Sequence, residues 1–130
     1  MSFSVETLPG EPIIVSTVYE DFSISDHIEE YMDQLVSMLD SQSEPVYYIS
    51  DVGHLTLNLD DLVISTNASA RGNKALLHHP NIRGTVIVTN SRLFKLAVKG
   101  LDSDIFGNVH IDVFETIGEA LAFVRNQNGA

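Results

Sequence analysis

Four short runs rich in β-branched and apolar residues punctuate this chain, Ile13 to Tyr19, Val46 to Ile49, Thr85 to Thr89 and Val109 to Val113, with helix-like stretches between them. Strands alternating with helices require crossover connections, and right-handed crossovers assemble such units into one largely parallel sheet clothed by helices. The first strand is the exception. Phe3 and Val5 alternate with polar neighbours and are followed by Leu8-Pro9-Gly10-Glu11-Pro12, where Pro sets φ and Gly tolerates positive φ, so this segment forms a hairpin with the Ile13 strand. Val109, Ile111 and Val113 alternate with His110 and Asp112, the pattern of a strand covered on one face, as at a sheet edge.

The helical segments carry their own start signals. Ser25 or Asp26 is expected to cap the first, with Glu29 closing a capping box, and Ile28, Met32, Leu35, Val36 and Leu39 form its buried stripe. Asn58 caps a second helix whose first turn holds Asp60 and Asp61, and which weakens through the small residues 65–73 before Pro80 closes it. Asn90 or Ser91 opens a third, with Leu93, Phe94, Ala97, Val98 and Leu101 inward and Arg92, Lys95 and Lys99 outward. Thr116-x-x-Glu119 is a capping box for a last helix that buries Ile117, Ala120, Leu121 and Val124, with residues 126–130 as a loose tail. The element order is β-β-α-β-α-β-α-β-α, in a single α/β domain spanning 1–130 whose sheet is mostly parallel with an antiparallel N-terminal strand.

Charge narrows the choice of partners. The 130 residues include 18 acids and 7 bases, a net charge of −11. The first seventy residues hold thirteen of the acids and no Lys or Arg, while the remainder holds five acids and all seven bases. A chain this acidic is repelled by nucleic acid and by anionic lipid, and its asymmetry either orients a charged partner or keeps one face solvated. With no cysteine there is no disulfide and no thiolate chemistry, which fits a reducing compartment. No apolar run reaches the ~18 residues of a membrane span, and the N-terminus lacks a basic start followed by an apolar stretch, so the expectation is a cytoplasmic protein without an integral membrane segment.

The chemistry-bearing motifs are mostly missing. There is no G-x-G-x-x-G, no G-x-x-x-x-G-K-[ST], no G-x-S-x-G and no H-E-x-x-H, so nucleotide cradling, serine hydrolysis and helical zinc catalysis lack their parts. Asp102-x-Asp104-x-x-Gly107 echoes a calcium loop but has Val113 where a bidentate carboxylate is needed. His78 and His79 diverge on a helix and read as cations near a helix C-terminus rather than metal ligands. No cofactor is implied. Asp51 and His54 sit where the Val46 strand ends, the carboxyl edge at which open α/β sheets hold ligands. They read either as turn hydrogen-bonding groups or as an acid/base pair, and no nucleophile accompanies them. Leu55 and Leu57, in a loop that continues through Thr56 and Asn58, are either buried against helix neighbours, lid a pocket or present an apolar patch.

Tyr48-Ile49-Ser50-Asp51, and Val109-His110-Ile111-Asp112-Val113-Phe114 followed by Thr116-Ile117-Gly118-Glu119-Ala120-Leu121-Ala122-Phe123-Val124, resemble the central strand and the closing strand and helix of STAS domains. The resemblance is closest to their SpoIIAA-like branch, sometimes grouped with SEC14-type lipid-binding domains, and extends over nearly the whole chain in element order. It implies a layered STAS/SpoIIAA-like fold and a non-enzymatic regulatory or protein-interaction role, with a switch by phosphorylation of a Ser or Thr that opens the second major helix. The family's Asp-Ser-[Ser/Thr]-Gly motif is missing here, and Thr56 is the hydroxyl in that loop able to stand in. The resulting expectation is a partner-binding surface in the 53–72 loop and helix, built on Asp51, His54, Leu55, Thr56, Leu57 and Asn58. The alternative is a carrier of a lipid or other apolar small molecule in a pocket at the same edge. Self-association as a homodimer is compatible with both.

Overall fold

A computed structural model describes residues 3–54, 79–101 and 111–128 of the chain. Five strands, β1 (Phe3–Thr7), β2 (Ile13–Val18), β3 (Val46–Asp51), β4 (Ile82–Val88) and β5 (Ile111–Phe114), form one sheet in the order β1-β2-β3-β4-β5. β1 pairs antiparallel with β2, and every other neighbour is parallel. Ile49 lies opposite Val86, which makes the two most apolar runs adjacent and parallel as their composition requires. β5 occupies the edge. The helices are α1 (Ile24–Asp40), α2 (Arg92–Leu101) and α3 (Ile117–Asn128). The helix expected from Asn58 onward, Val109 and His110 of the closing strand, and most of the calcium-like segment from Asp102 lie outside the described residues.

The β1–β2 turn follows its chemistry. Glu11 N–H donates to the Leu8 carbonyl at 3.1 Å, and Gly10, third in that four-residue turn, has φ 74°. Only a residue without Cβ takes that conformation cheaply, and Pro9 presets the position before it. Glu11 is then tied to the last helix, accepting from Arg125 Nε at 2.8 Å; this bond holds the Glu11 carboxyl below its ordinary range and raises the Arg125 guanidinium. The helix continues through Asn128, into the segment from Asn126 onward that the sequence marked as tail. Burial of Val124 and the Arg125 tie anchor that last turn.

α1 begins earlier than expected. Its N-cap is Ser23, not Ser25 or Asp26, and Ser23 makes no side-chain cap bond. Its backbone N–H instead donates to His27 Nδ1 at 2.8 Å, the reach-back that a capping box assigns to an acid. Phe22, just before the cap, packs on the His27 ring at 5.5 Å, a hydrophobic staple that fixes where the chain enters the helix. α3 opens at its expected place: Glu119 N–H donates to Thr116 Oγ1 at 3.1 Å, and the Glu119 carboxylate takes the hydroxyl proton rather than a backbone one.

Two cores result, one on each face of the sheet. Ile14, Val18, Val46, Tyr48 and Val52 face α1 and meet Met32, Leu35 and Leu39, together with Phe3, Phe22 and Tyr31, whose rings are mutually edge-on. Ile13, Val15, Ile49, Val86 and Val88 face the other way, onto Ala120 and Val124 of α3. At the β3–β4 junction the register shifts by one residue, and the Tyr47 ring lies over Gly84, where a Cβ would come within 2.9 Å of it.

Candidate functional site

The carboxyl ends of β2, β3 and β4 share one edge because these strands are parallel and nearly in register. From β2 emerge Tyr19, Glu20 and Asp21; from β3, Asp51 to His54; from β4, Thr89 to Ser91. Tyr19 is 39% exposed, unlike the buried Val18 before it, and it stacks on the His54 ring at 6.5 Å with 21° between planes. Tyr19, Glu20, Asp21 and His54 line an open cleft of about 520 Å³. Two carboxylates beside a paired phenol and imidazole suit a cationic group, which the ring face and the charges attract together.

Asp51 and His54, which the sequence left as turn groups or an acid/base pair, are turned to different partners. Asp51 Oδ1 accepts the Gly53 N–H at 3.1 Å, an Asx turn that ends β3, while His54 stands against Tyr19. Turn geometry thus replaces the acid/base reading. Leu55, Thr56, Leu57 and Asn58 lie outside the described residues. Sequence reasoning missed Tyr19 as a site residue. Its signal was a large aromatic at the very end of an apolar strand, directly before two acids.

His79 is held at the C-terminal end of α1. Its Nδ1 accepts the Asn81 N–H at 3.0 Å, which leaves the ring proton on Nε2 to donate to Asp40 at 2.7 Å. Asp40 is the last residue of α1, so His79 binds a side chain at the C-terminal end of that helix, where Asn81 Nδ2 also donates to the Leu39 carbonyl at 2.8 Å. The chain entering β4 passes the end of α1, whose free carbonyls need donors, and Asn81 supplies one. His78 lies outside the described residues, and among the described residues no group of three acids or histidines is placed to hold a metal ion.

A second polar group lies inside the α1 core, and the sequence reading did not anticipate it. Ser16 Oγ and Tyr31 OH are 2.7 Å apart, Tyr31 OH and Tyr48 OH 2.8 Å, and Ser16 Oγ donates to Tyr48 OH at 3.4 Å. A ring in which Ser16 donates to Tyr48, Tyr48 to Tyr31 and Tyr31 to Ser16 lets each hydroxyl donate once and accept once. Ser50 Oγ adds a contact to Tyr31 at 3.4 Å. All four residues are buried, and no described buried side-chain polar atom lacks a partner. Burial, then the neighbouring Tyr31, raises the Tyr48 phenol well above its ordinary pKa, so it is held neutral and hydrogen-bonded. The available signal was spacing: Tyr31 lies three residues after Ile28 and four before Leu35, on the buried stripe, and Ser16 interrupts an apolar strand.

In this geometry the chain is similar to several solved structures, among them the following two. An uncharacterised protein of Shewanella loihica PV-4 with a SpoIIAA-like fold superposes with a TM-score of 0.60 and 16% identity, covering 94% of this chain and 91% of that one. An anti-sigma factor antagonist from Mycobacterium paratuberculosis gives a TM-score of 0.57 and 15% identity over 95% of each. The fold is therefore SpoIIAA-like. No protein-family model and no curated protein matches the sequence. Among the described residues no helix is long and apolar enough to cross a membrane.

Proposed function

We propose that the protein is a non-enzymatic regulatory domain that binds a protein partner at the carboxyl edge of its sheet. The surface comprises Tyr19, Glu20, Asp21, Asp51 and His54 and continues into Leu55, Thr56, Leu57 and Asn58. The observation that carries this reading is the stacked Tyr19–His54 pair flanked by Glu20 and Asp21, an exposed aromatic and acidic cleft at the edge where open α/β sheets receive ligands. The likeness in fold to an anti-sigma factor antagonist supports a partner that is itself a regulatory protein. Asp51, tied to Gly53, serves as the rigid floor of that surface rather than as a catalytic acid.

The cleft's chemistry favours a partner that inserts a Lys or Arg side chain. Thr56 is the hydroxyl proposed to take a phosphate if the surface is switched, because a phosphate there would add about −1.5 to −2 charges to an already acidic surface and so change its attraction for a cationic partner. An apolar cargo is the weaker reading, since two carboxylates line the described wall. The test is affinity capture from the source organism with the full chain, comparing wild type with Tyr19→Ala/Glu20→Lys and with Leu55→Asp/Leu57→Asp. A protein retained by wild type and lost from the folded variants is expected. Equal retention by all three would refute this surface, and a co-purified lipid seen by native mass spectrometry would favour the carrier.

A further inference from the structure

Two helix faces of this molecule are matched in spacing and opposite in sign. On α2, Arg92, Lys95, Leu96 and Lys99 fall at i, i+3, i+4 and i+7, on one side of the helix. Arg92 and Lys99 are exposed, and Leu96, in their midst, leaves 65% of its surface to solvent. Lys95, half-buried, makes a loose contact with the exposed Glu115 at 3.7 Å. On α1, Asp26, Glu29, Glu30 and Asp33 fall at the same four spacings, all exposed, on a helix with no Lys or Arg. Asp26 and Glu30 place like charges one turn apart, which opposes the helix unless cations lie nearby, while Asp33 already has an interaction within the chain. Each stripe extends over about 10 Å of helix.

We infer that the α2 stripe of one copy docks on the α1 stripe of a second copy, with Leu96 shielded from water at the centre of the contact. The occupant is a second copy because the same chain supplies the complementary face with identical spacing. A nucleic acid or an anionic membrane would meet a body of net charge −11 around only three cations. If each copy gives its α1 and receives on its α2, the contact is made twice and the assembly closes as a two-fold dimer. None of these residues belongs to the carboxyl-edge surface, so the inference stands apart from the proposed partner binding and fails separately from it.

Its salt dependence is distinctive. At very low ionic strength two bodies of charge −11 repel as wholes, and at about 1 M salt the Debye length of about 3 Å screens the stripes themselves. Association is therefore strongest between these limits. The experiment is light scattering coupled to size exclusion, with sedimentation, on the full chain from micromolar to millimolar concentration in 0.1 M NaCl. A dimer is expected, with affinity at least tenfold lower in 1 M NaCl. Lys95→Glu/Lys99→Glu alone and Glu29→Lys/Glu30→Lys alone should each be monomeric, and an equimolar mixture of the two should restore a heterodimer, because each acidic stripe then finds a basic one. These side chains lie on the surface, so circular dichroism should match wild type. A chain that stays monomeric at millimolar concentration, or a dimer that neither reversal weakens, would overturn the inference.

Discussion

Beneath α1 the sheet presents Ile14, Val18, Val46, Tyr48 and Val52 and, among them, the buried hydroxyls of Ser16 and Ser50; beneath α3 it presents Ile13, Val15, Ile49, Val86 and Val88. The strands are the same, and alternate residues supply the two faces. The aliphatic face is packed by area and volume, with the Glu11–Arg125 bond outside its core, and such packing accepts side chains of about the right size. The α1 face adds a condition, because Tyr31 must bring its hydroxyl to a particular place between Ser16 and Tyr48. A helix displaced along its axis by one turn would still bury apolar surface but would leave hydroxyls unpaired in the core, each costing about 1–3 kcal/mol. The hydroxyl ring thus selects one seating of α1 from several that hydrophobicity would allow. It lies toward the carboxyl half of β2 and β3, the half from which the Tyr19 and His54 segments leave the sheet.

Substitutions on the two faces can break this contrast. The largest loss is expected from Leu35→Ala, which empties a fully buried site under α1 and should lower unfolding stability by roughly 2–5 kcal/mol in a denaturant titration. Tyr31→Phe keeps the ring and its edge-on contacts with Phe3 and Phe22 but removes the shared hydroxyl, so a loss of about 1–3 kcal/mol is expected. On the opposite face Ile49→Val, at an equally buried position, should cost only about 0.5–1.5 kcal/mol. If Tyr31→Phe proved cheaper than Ile49→Val, the hydroxyl ring would have no special part in seating the helix.

The smallest effect at neutral pH concerns Tyr48, whose phenol is neutral there in both folded and unfolded chains. Burial raises its folded pKa well above the ordinary value of 10.0, so above that pH the unfolded chain releases a proton that the folded one retains. Stability should therefore fall as pH rises past about 10. Tyr48→Phe should flatten this alkaline limb relative to wild type, as thermal melts at pH 9 and pH 11 would show; an unchanged slope would mean that Tyr48 is not sealed from solvent.

Much of the architecture was readable before any coordinates. The hairpin turn at Pro9-Gly10, the parallel pairing of the Ile49 and Val86 runs, the edge position of the Ile111 strand and the Thr116 cap each rest on a local rule that tertiary structure had no reason to override. The errors came where two segments meet. α1 starts at Ser23 because Phe22 packs against His27, a contact that a search for acidic caps overlooks. His79 meets the Asp40 side chain because β4 begins beside the end of α1, 39 residues away in the chain. Of the site, the strand end carrying Asp51 and His54 was legible, and its partner Tyr19 was not, since Tyr19 and His54 are brought together only by the parallel pairing of β2 with β3.

By itself, then, the sequence determined which stretches become strands and helices, which side of each is apolar, and that the molecule is acidic with its cations confined to the later half. These are properties of neighbouring residues, governed by side-chain periodicity and backbone preference. The folded structure alone decided that a serine of β2, a tyrosine of α1 and a tyrosine of β3 share hydrogen bonds, and that an aromatic from one strand end stacks on a histidine from the next. Such contacts depend on distances between elements far apart in the chain, and those distances are set by how helix and sheet pack once both have formed.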